Sequence, residues 1–199
     1  MPVRRIAALA LSALLLTSCG SGEGTQGGSD AAASSPTATA QDLLAAHDLD
    51  GLDTVTLVDR LDRLPVADRP ADLMASVRPD VLVVSNSKEG VEHELPMPEE
   101  RFYLSVAPYV DGTHDCFFHS LTTCRGEMSE EEIDVRIETA DGEVLVDETR
   151  RTFDNGFVGF WLPRDVEATI TLARGDERGS ATVTTGDEDL TCLTTVRLA

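Results

Sequence analysis

Apolar residues recur along this chain with two different periods. Between Gln41 and about Arg78 the spacing is three or four, which predicts helix. Leu43 and Leu44 precede His47. Asp53 then stands where an N-cap belongs, ahead of Val55, Leu57, Val58, Leu61 and Leu64, and Pro65 ends the run. A second short helix is expected from Pro70, with Leu73, Met74 and Val77 on one face, stopping before Pro79. Helices this short do not stand alone and must pack on the rest of the chain or on a partner.

From Val81 the period changes to that of strands. Val81–Val84 reads as a buried strand, and Ile133–Ile137 alternates strictly. Phe102–Val106, Val144–Val146, Gly156–Leu162, Ala168–Leu172, Ala181–Thr184 and Thr191–Val196 are further candidates, and Asp141-Gly142 marks a hairpin turn. Short strands separated by Gly, Pro and Asp turns imply an α+β fold. The expected order is a small N-terminal helical region (41–88) followed by an antiparallel β-sandwich-like domain (89–199).

The first forty residues follow neither pattern. Arg4 and Arg5 precede an apolar stretch from Ile6 to Leu16, the layout of a secretory signal over residues 1–18. That stretch is too short to span a bilayer, which needs about 20 apolar residues. Leu16-Thr17-Ser18-Cys19 resembles a bacterial lipobox, which makes Cys19 the expected lipidation site; ordinary signal cleavage is the alternative. Residues 19–40, rich in Gly, Ser, Ala and Thr, read as a flexible tether with a reach of roughly 25 Å.

Charge and cysteines narrow the function. A formal net charge of -20 repels nucleic acid and anionic lipid headgroups and concentrates cations. No acidic run has calcium-loop spacing. Beyond Cys19 the chain has three cysteines, Cys116, Cys124 and Cys192, and an odd number of exported thiols cannot all pair within one molecule. His114 and Cys116, two apart, share a face in extended chain, while Cys116 and His119, three apart, would meet across one helical turn. Cys124 demands that the chain fold back, and Cys192 must arrive from a distant strand.

Three arrangements fit this spacing. Cys116 and Cys124 form a disulfide and leave Cys192 as a buried apolar residue. Alternatively the thiolates and imidazoles bind a soft ion, trigonal Cu(I) or tetrahedral zinc. The third arrangement is a redox pair, although the spacing is not Cys-x-x-Cys. His47 is expected on the surface and His93 on an exposed strand. Met97, Met128, Phe157, Phe160 and Trp161 are expected to pack rather than ligate.

The stretch from His114 to Glu127, with C-F-F-H-S-L-T-T-C-R-G-E, closely resembles the signature of the CueP family of bacterial periplasmic copper-binding proteins. Gly156–Arg164 (G-F-V-G-F-W-L-P-R) and Thr191–Thr195 (T-C-L-T-T) also look like that family, and the resemblance runs from about Asp42 to the C-terminus. It implies a small N-terminal domain associated with dimerisation and a β-rich domain carrying the cysteines and histidines. It further implies a binding protein rather than an enzyme, one that sequesters or delivers Cu(I) and contributes to copper tolerance. A cuproenzyme would be the recipient, and thiol reduction of Cu(II) or of reactive oxygen species is the alternative activity. Carried over by position, the metal residues are Cys116, Cys124, Cys192, His114 and His119, with zinc as a substitute for copper. The lipobox and tether depart from the soluble members and imply a lipid-anchored form on the extracytoplasmic side of the membrane.

Overall fold

The computed structural model describes residues 39–199. The expected signal, Cys19 and the tether up to residue 38 lie outside the described residues. Thr39 caps the first helix, α1 (Ala40–Ala45), in a reciprocal box with Asp42: Thr39 N–H donates to Asp42 Oδ2 at 2.9 Å, and Asp42 N–H donates to Thr39 Oγ1 at 3.2 Å. Asp53 caps α2 (Thr54–Asp62) as its sequence position predicts, accepting from Thr56 N–H at 3.0 Å. This helix buries Leu57, Val58, Leu61 and Asp62. No helix among the described residues is long and apolar enough to cross a membrane.

The helix expected after Pro70 is instead a strand, β1 (Leu73–Val77). Leu73 and Val77, four apart, satisfy both periods, but Leu73, Ala75 and Val77 are buried while Met74 and Ser76 between them are more open. The neighbouring apolar run settles the matter. β2 (Val81–Asn86) pairs antiparallel with β1, from Leu73 against Asn86 to Val77 against Leu82. β3 (Glu92–Pro96) adds to the outer edge of β2, and the two-residue β5 (His119–Ser120) adds to the free edge of β1, giving the order β3-β2-β1-β5.

Two further sheets form the sandwich. One contains β6 (Glu132–Thr139), β7 (Val144–Arg151), β9 (Glu167–Arg174) and β10 (Glu177–Thr184), in the order β10-β9-β6-β7. The other sets β4 (Arg101–Val106) between β8 (Val158–Pro163) and β11 (Cys192–Leu193). The strand expected over Thr191–Val196 is thus only two residues long. It pairs parallel with β4, placing Cys192 opposite Ser105, and an isolated bridge between Tyr109 and Arg197 follows.

β4 is buried on both faces, which explains its near-continuous apolar run. Phe102, Leu104 and Val106 join the sandwich core with Ile133, Val135, Ile137, Phe160, Ile170 and Leu172. Tyr103, on the opposite face, joins a second core with Leu57, Leu61, Leu82 and Leu121. Gly159, paired with Ser105 in the neighbouring strand, leaves the room that Tyr103 occupies: a Cβ there would collide with the Tyr103 hydroxyl. Gly159→Ala should therefore destabilise the protein by about 1–3 kcal/mol, as overpacked cores do, measured by urea unfolding.

Candidate metal centre

The segment that carries the site is stitched to β1 and to the C-terminal segment. Leu121 N–H donates to Ala75 O at 2.9 Å, extending the β1–β5 pairing. Phe117 O accepts the N–H groups of Thr191 at 2.9 Å and Cys192 at 3.1 Å. The Thr191 hydroxyl accepts from His119 N–H at 3.0 Å and donates to Val77 O at 2.6 Å, so one buried side chain ties three segments together. Cys192 is thereby carried from near the C-terminus to the Phe117–His119 loop.

The chain folds back between Cys116 and Cys124 through a turn closed by Cys124 N–H to Ser120 O at 3.1 Å. It does so without the helical turn expected at Cys116–His119; His119 instead enters β5. Cys116 and Cys192 form a disulfide, with Cα atoms 5.6 Å apart, and Cys124 is the free thiol among the described residues. This corrects the Cys116–Cys124 pairing that the spacing suggested. The eight-residue separation brings those two sulfurs near each other, 3.7 Å apart, but the long-range hydrogen bonds bring Cys192 to Cys116 as well. All three sulfurs converge.

The histidines take different positions. His114 is exposed, and its ring meets Phe157 edge-on with centroids 6.3 Å apart. His119 is fully buried, packs against Phe157 at 4.6 Å, and has Nδ1 3.8 Å from Cys192 Sγ. The donor atoms fall into two groups whose members all lie within 4.8 Å of one another: His114, Cys116 and Cys124, and His119, Cys124 and Cys192. His47 and His93 belong to neither group. His47 is partly buried, 3.7 Å from Asp72, and His93 lies in β3. Met97 and Met128 are core residues.

Asp62, absent from the sequence-predicted site, organises it from beneath. The carboxylate is fully buried at the end of α2, where the negative end of the helix dipole disfavours it. Four donors compensate. Tyr103 Oη and Ser105 Oγ donate to Oδ2 at 2.5 and 3.3 Å, and Asn155 Nδ2 donates to Oδ1 at 3.0 Å. His119 Nε2 lies 2.9 Å from Oδ1. With Nε2 committed to the carboxylate, Nδ1 faces the sulfurs, which is the second-layer arrangement that orients metal-binding imidazoles. A sequence signal for Asp62 does exist: it sits seven residues after Val55 and four after Val58, on the apolar stripe of its helix.

Burial by itself would lower the His119 pKa, but the Asp62 carboxylate outweighs it and pushes the value up to about 9. Burial likewise opposes ionisation of Asp62, yet the His119 charge and the hydrogen bonds from His119, Tyr103 and Asn155 hold its pKa below the ordinary value. Burial raises the Cys124 thiol, while the His119 imidazolium and Ser120 N–H, 3.3 Å from Sγ, bring it below the ordinary range. Arg69 donates to Cys124 O at 2.9 Å from a partly desolvated position. Soft sulfur donors, an oriented imidazole and a cysteine inclined to ionise together fit a soft metal ion.

Two outcomes follow. Alkylation of air-oxidised, denatured protein should label Cys124 alone among Cys116, Cys124 and Cys192, and peptide mapping should join Cys116 to Cys192. The raised His119 pKa should contribute stability in full below about pH 6.5 and lose it as pH rises through about 9. The lowered Asp62 pKa adds an acid limb, present in full above the ordinary carboxylate value and lost as pH falls below it through the lowered folded value. Asp62→Ala should cost about 3–5 kcal/mol and flatten the alkaline limb in urea unfolding of the metal-free protein.

Comparison with known proteins agrees with this chemistry. The family described as "Periplasmic copper-binding protein CueP" matches residues 56–197. A solved structure described as "Crystal Structure of S.CueP" is 34% identical, with a TM-score of 0.76, covering 83% of this chain and 100% of its own. No curated protein matches.

Proposed function

The chain belongs to the CueP family of periplasmic copper-binding proteins, and from that membership we propose that it binds Cu(I) through Cys116, Cys124 and Cys192, with His114 or His119 as an additional donor. The observation that carries this reading is the convergence of three sulfurs, contributed by two distant parts of the chain, around the Asp62-oriented His119. Three thiolates suit trigonal Cu(I), and bound copper is withheld from cycling with peroxide. The same donors suit zinc, so zinc is the expected competitor.

In the disulfide form only Cys124 offers a thiolate. Loading therefore follows reduction of Cys116–Cys192 by an external dithiol, which supplies two electrons and two protons. Each thiol that then binds the ion releases a proton, so affinity should fall as pH falls. The protein acts as a store or donor of copper and not as an enzyme. A lipid anchor at Cys19 would hold it at the extracytoplasmic face, and delivery would then favour recipients near the membrane. A cuproenzyme recipient and a homodimer built on the N-terminal region complete this reading.

A second reading is favoured by the disulfide beside a free thiol. Two thiolates, Cys116 and Cys192, would each give one electron to a Cu(II) ion and close as a disulfide, yielding two Cu(I). Turnover in the presence of a dithiol reductant, as opposed to a single stoichiometric burst, distinguishes a catalyst from a binder.

The direct test is anaerobic titration of reduced protein with Cu(I) against a competing chelator. One Cu(I) should bind per chain. Cys192→Ser should weaken binding by at least about 10–100-fold, the range seen when even outer-layer partners of a metal are lost. Unchanged affinity would remove Cys192 from the site.

A further inference from the structure

The two histidines belong to different donor groups of the sulfur cluster. His114 is exposed, yet its backbone is fixed. The Glu127 carboxylate accepts the N–H groups of Val110, Asp111 and Gly112, at 3.4, 3.1 and 2.7 Å. Thr113 Oγ1 donates to Thr194 O at 2.6 Å, and Thr194 Oγ1 donates to His114 O at 2.7 Å. The His114 ring is thus presented from a pinned loop. Beside it opens a cavity of about 330 Å³ whose lining includes Tyr109, Thr113, His114, Arg125 and Glu127. His119 is enclosed, held from behind by Asp62.

Phe157 packs against both histidines. It is fully buried and touches both rings, face-inclined to His119 and edge-on to His114. No donor group contains both imidazoles. Two imidazoles sharing one ion must bring their nitrogens within roughly 4 Å, because each lies about 2 Å from the metal. What the two groups do share is Cys124.

Building on the Cu(I)-binding reading, we propose that the ion occupies two stations in sequence. His114, Cys116 and Cys124 form an outer station that receives Cu(I) from the cavity. His119, Cys124 and Cys192 form an inner station that retains it, and Cys124 stays bound throughout. In the transfer the copper bonds to His114 and Cys116 break, and bonds to His119 Nδ1 and Cys192 Sγ form. The Cys116 sulfur takes up a proton, Cys192 gives one up, and His119 releases its Nδ1 proton to solvent as its bond to copper forms. Copper remains monovalent and no electron moves. Both cysteines must be thiols, so an external dithiol opens their disulfide beforehand. Glu127 is a positioning residue for the outer station, and Asp62 for the inner.

The test uses reduced wild-type protein with ¹⁵N-labelled histidine and Cu(I) supplied as its acetonitrile complex under argon. At one equivalent, the His119 ring nitrogens should show coordination at Nδ1 while His114 retains its metal-free shifts. Coordination of both rings at one equivalent means a single four-donor site and overturns the proposal, as does coordination of His114 without His119. If no Cu(I) binds at all, the copper-binding reading itself fails. Stopped-flow capture from a chelator provides the second arm. His114→Ala and Glu127→Gln should slow capture about tenfold while leaving equilibrium affinity within about threefold, whereas His119→Ala should weaken affinity about 10–100-fold. A loss of affinity in His114→Ala equal to that in His119→Ala would also overturn the proposal.

Discussion

A buried carboxylate without partners would not be tolerated in this core. An isolated charge in an apolar interior costs far more than the few kcal/mol by which domains are stable. Asp62 therefore makes its surroundings interdependent. Tyr103 and Ser105 come from β4, His119 from β5, and Asn155 from the loop before β8. Each must be in place for the charge to be satisfied, so the helix, the two sheets it touches and the site loop are coupled through one group. Burial of an ion pair is weak evidence for net stability. Here its effect is to fix one orientation of one imidazole, the one that turns Nδ1 toward sulfur.

The second constraint is the return of the C-terminal segment. Only two residues of it pair as a strand, so Cys192 is not positioned by a long ladder. Side-chain and loop hydrogen bonds carry out that task. Thr191 bridges His119 and Val77, and Phe117 O receives two successive backbone N–H groups. Behind them Gly126 and Gly156 pack backbone to backbone. A Cβ at Gly126 would lie 2.7 Å from Gly156 O, and Gly156 has φ +79°, where glycine is favoured. That contact sets the R-G-E portion of the site segment against the loop that carries Asn155 and Phe157.

The cluster joins metal chemistry to thiol chemistry in a small volume. A cysteine that ionises readily beside a disulfide is suited both to soft-metal binding and to thiol exchange, because the thiolate is the reactive species in each. The acidic surface draws cations toward the protein without choosing among them. Selection falls to the donors, and sulfur with imidazole favours soft ions over the hard divalent ions that carboxylates attract.

Much of this was legible along the chain. Short apolar and alternating runs located β2, β4, β6, β7, β8, β9 and β10, and Asp53 marked the cap of α2, because local sterics and caps act between near neighbours. The cysteine and histidine set was readable from residue type and motif. Three things were not. Leu73–Val77 carried a spacing compatible with helix, and only the adjacent β2 made it a strand. The pairing of Cys116 with Cys192 depends on contacts 76 residues apart, which no local spacing encodes. Asp62 showed itself only as a charge on an apolar stripe; that it faces His119 follows from packing α2 across β4. The sequence by itself determined which elements form and which donors are available, since those follow from short-range chemistry. The tertiary structure decided which donors meet, because their meeting requires distant segments to satisfy one another's buried polar groups.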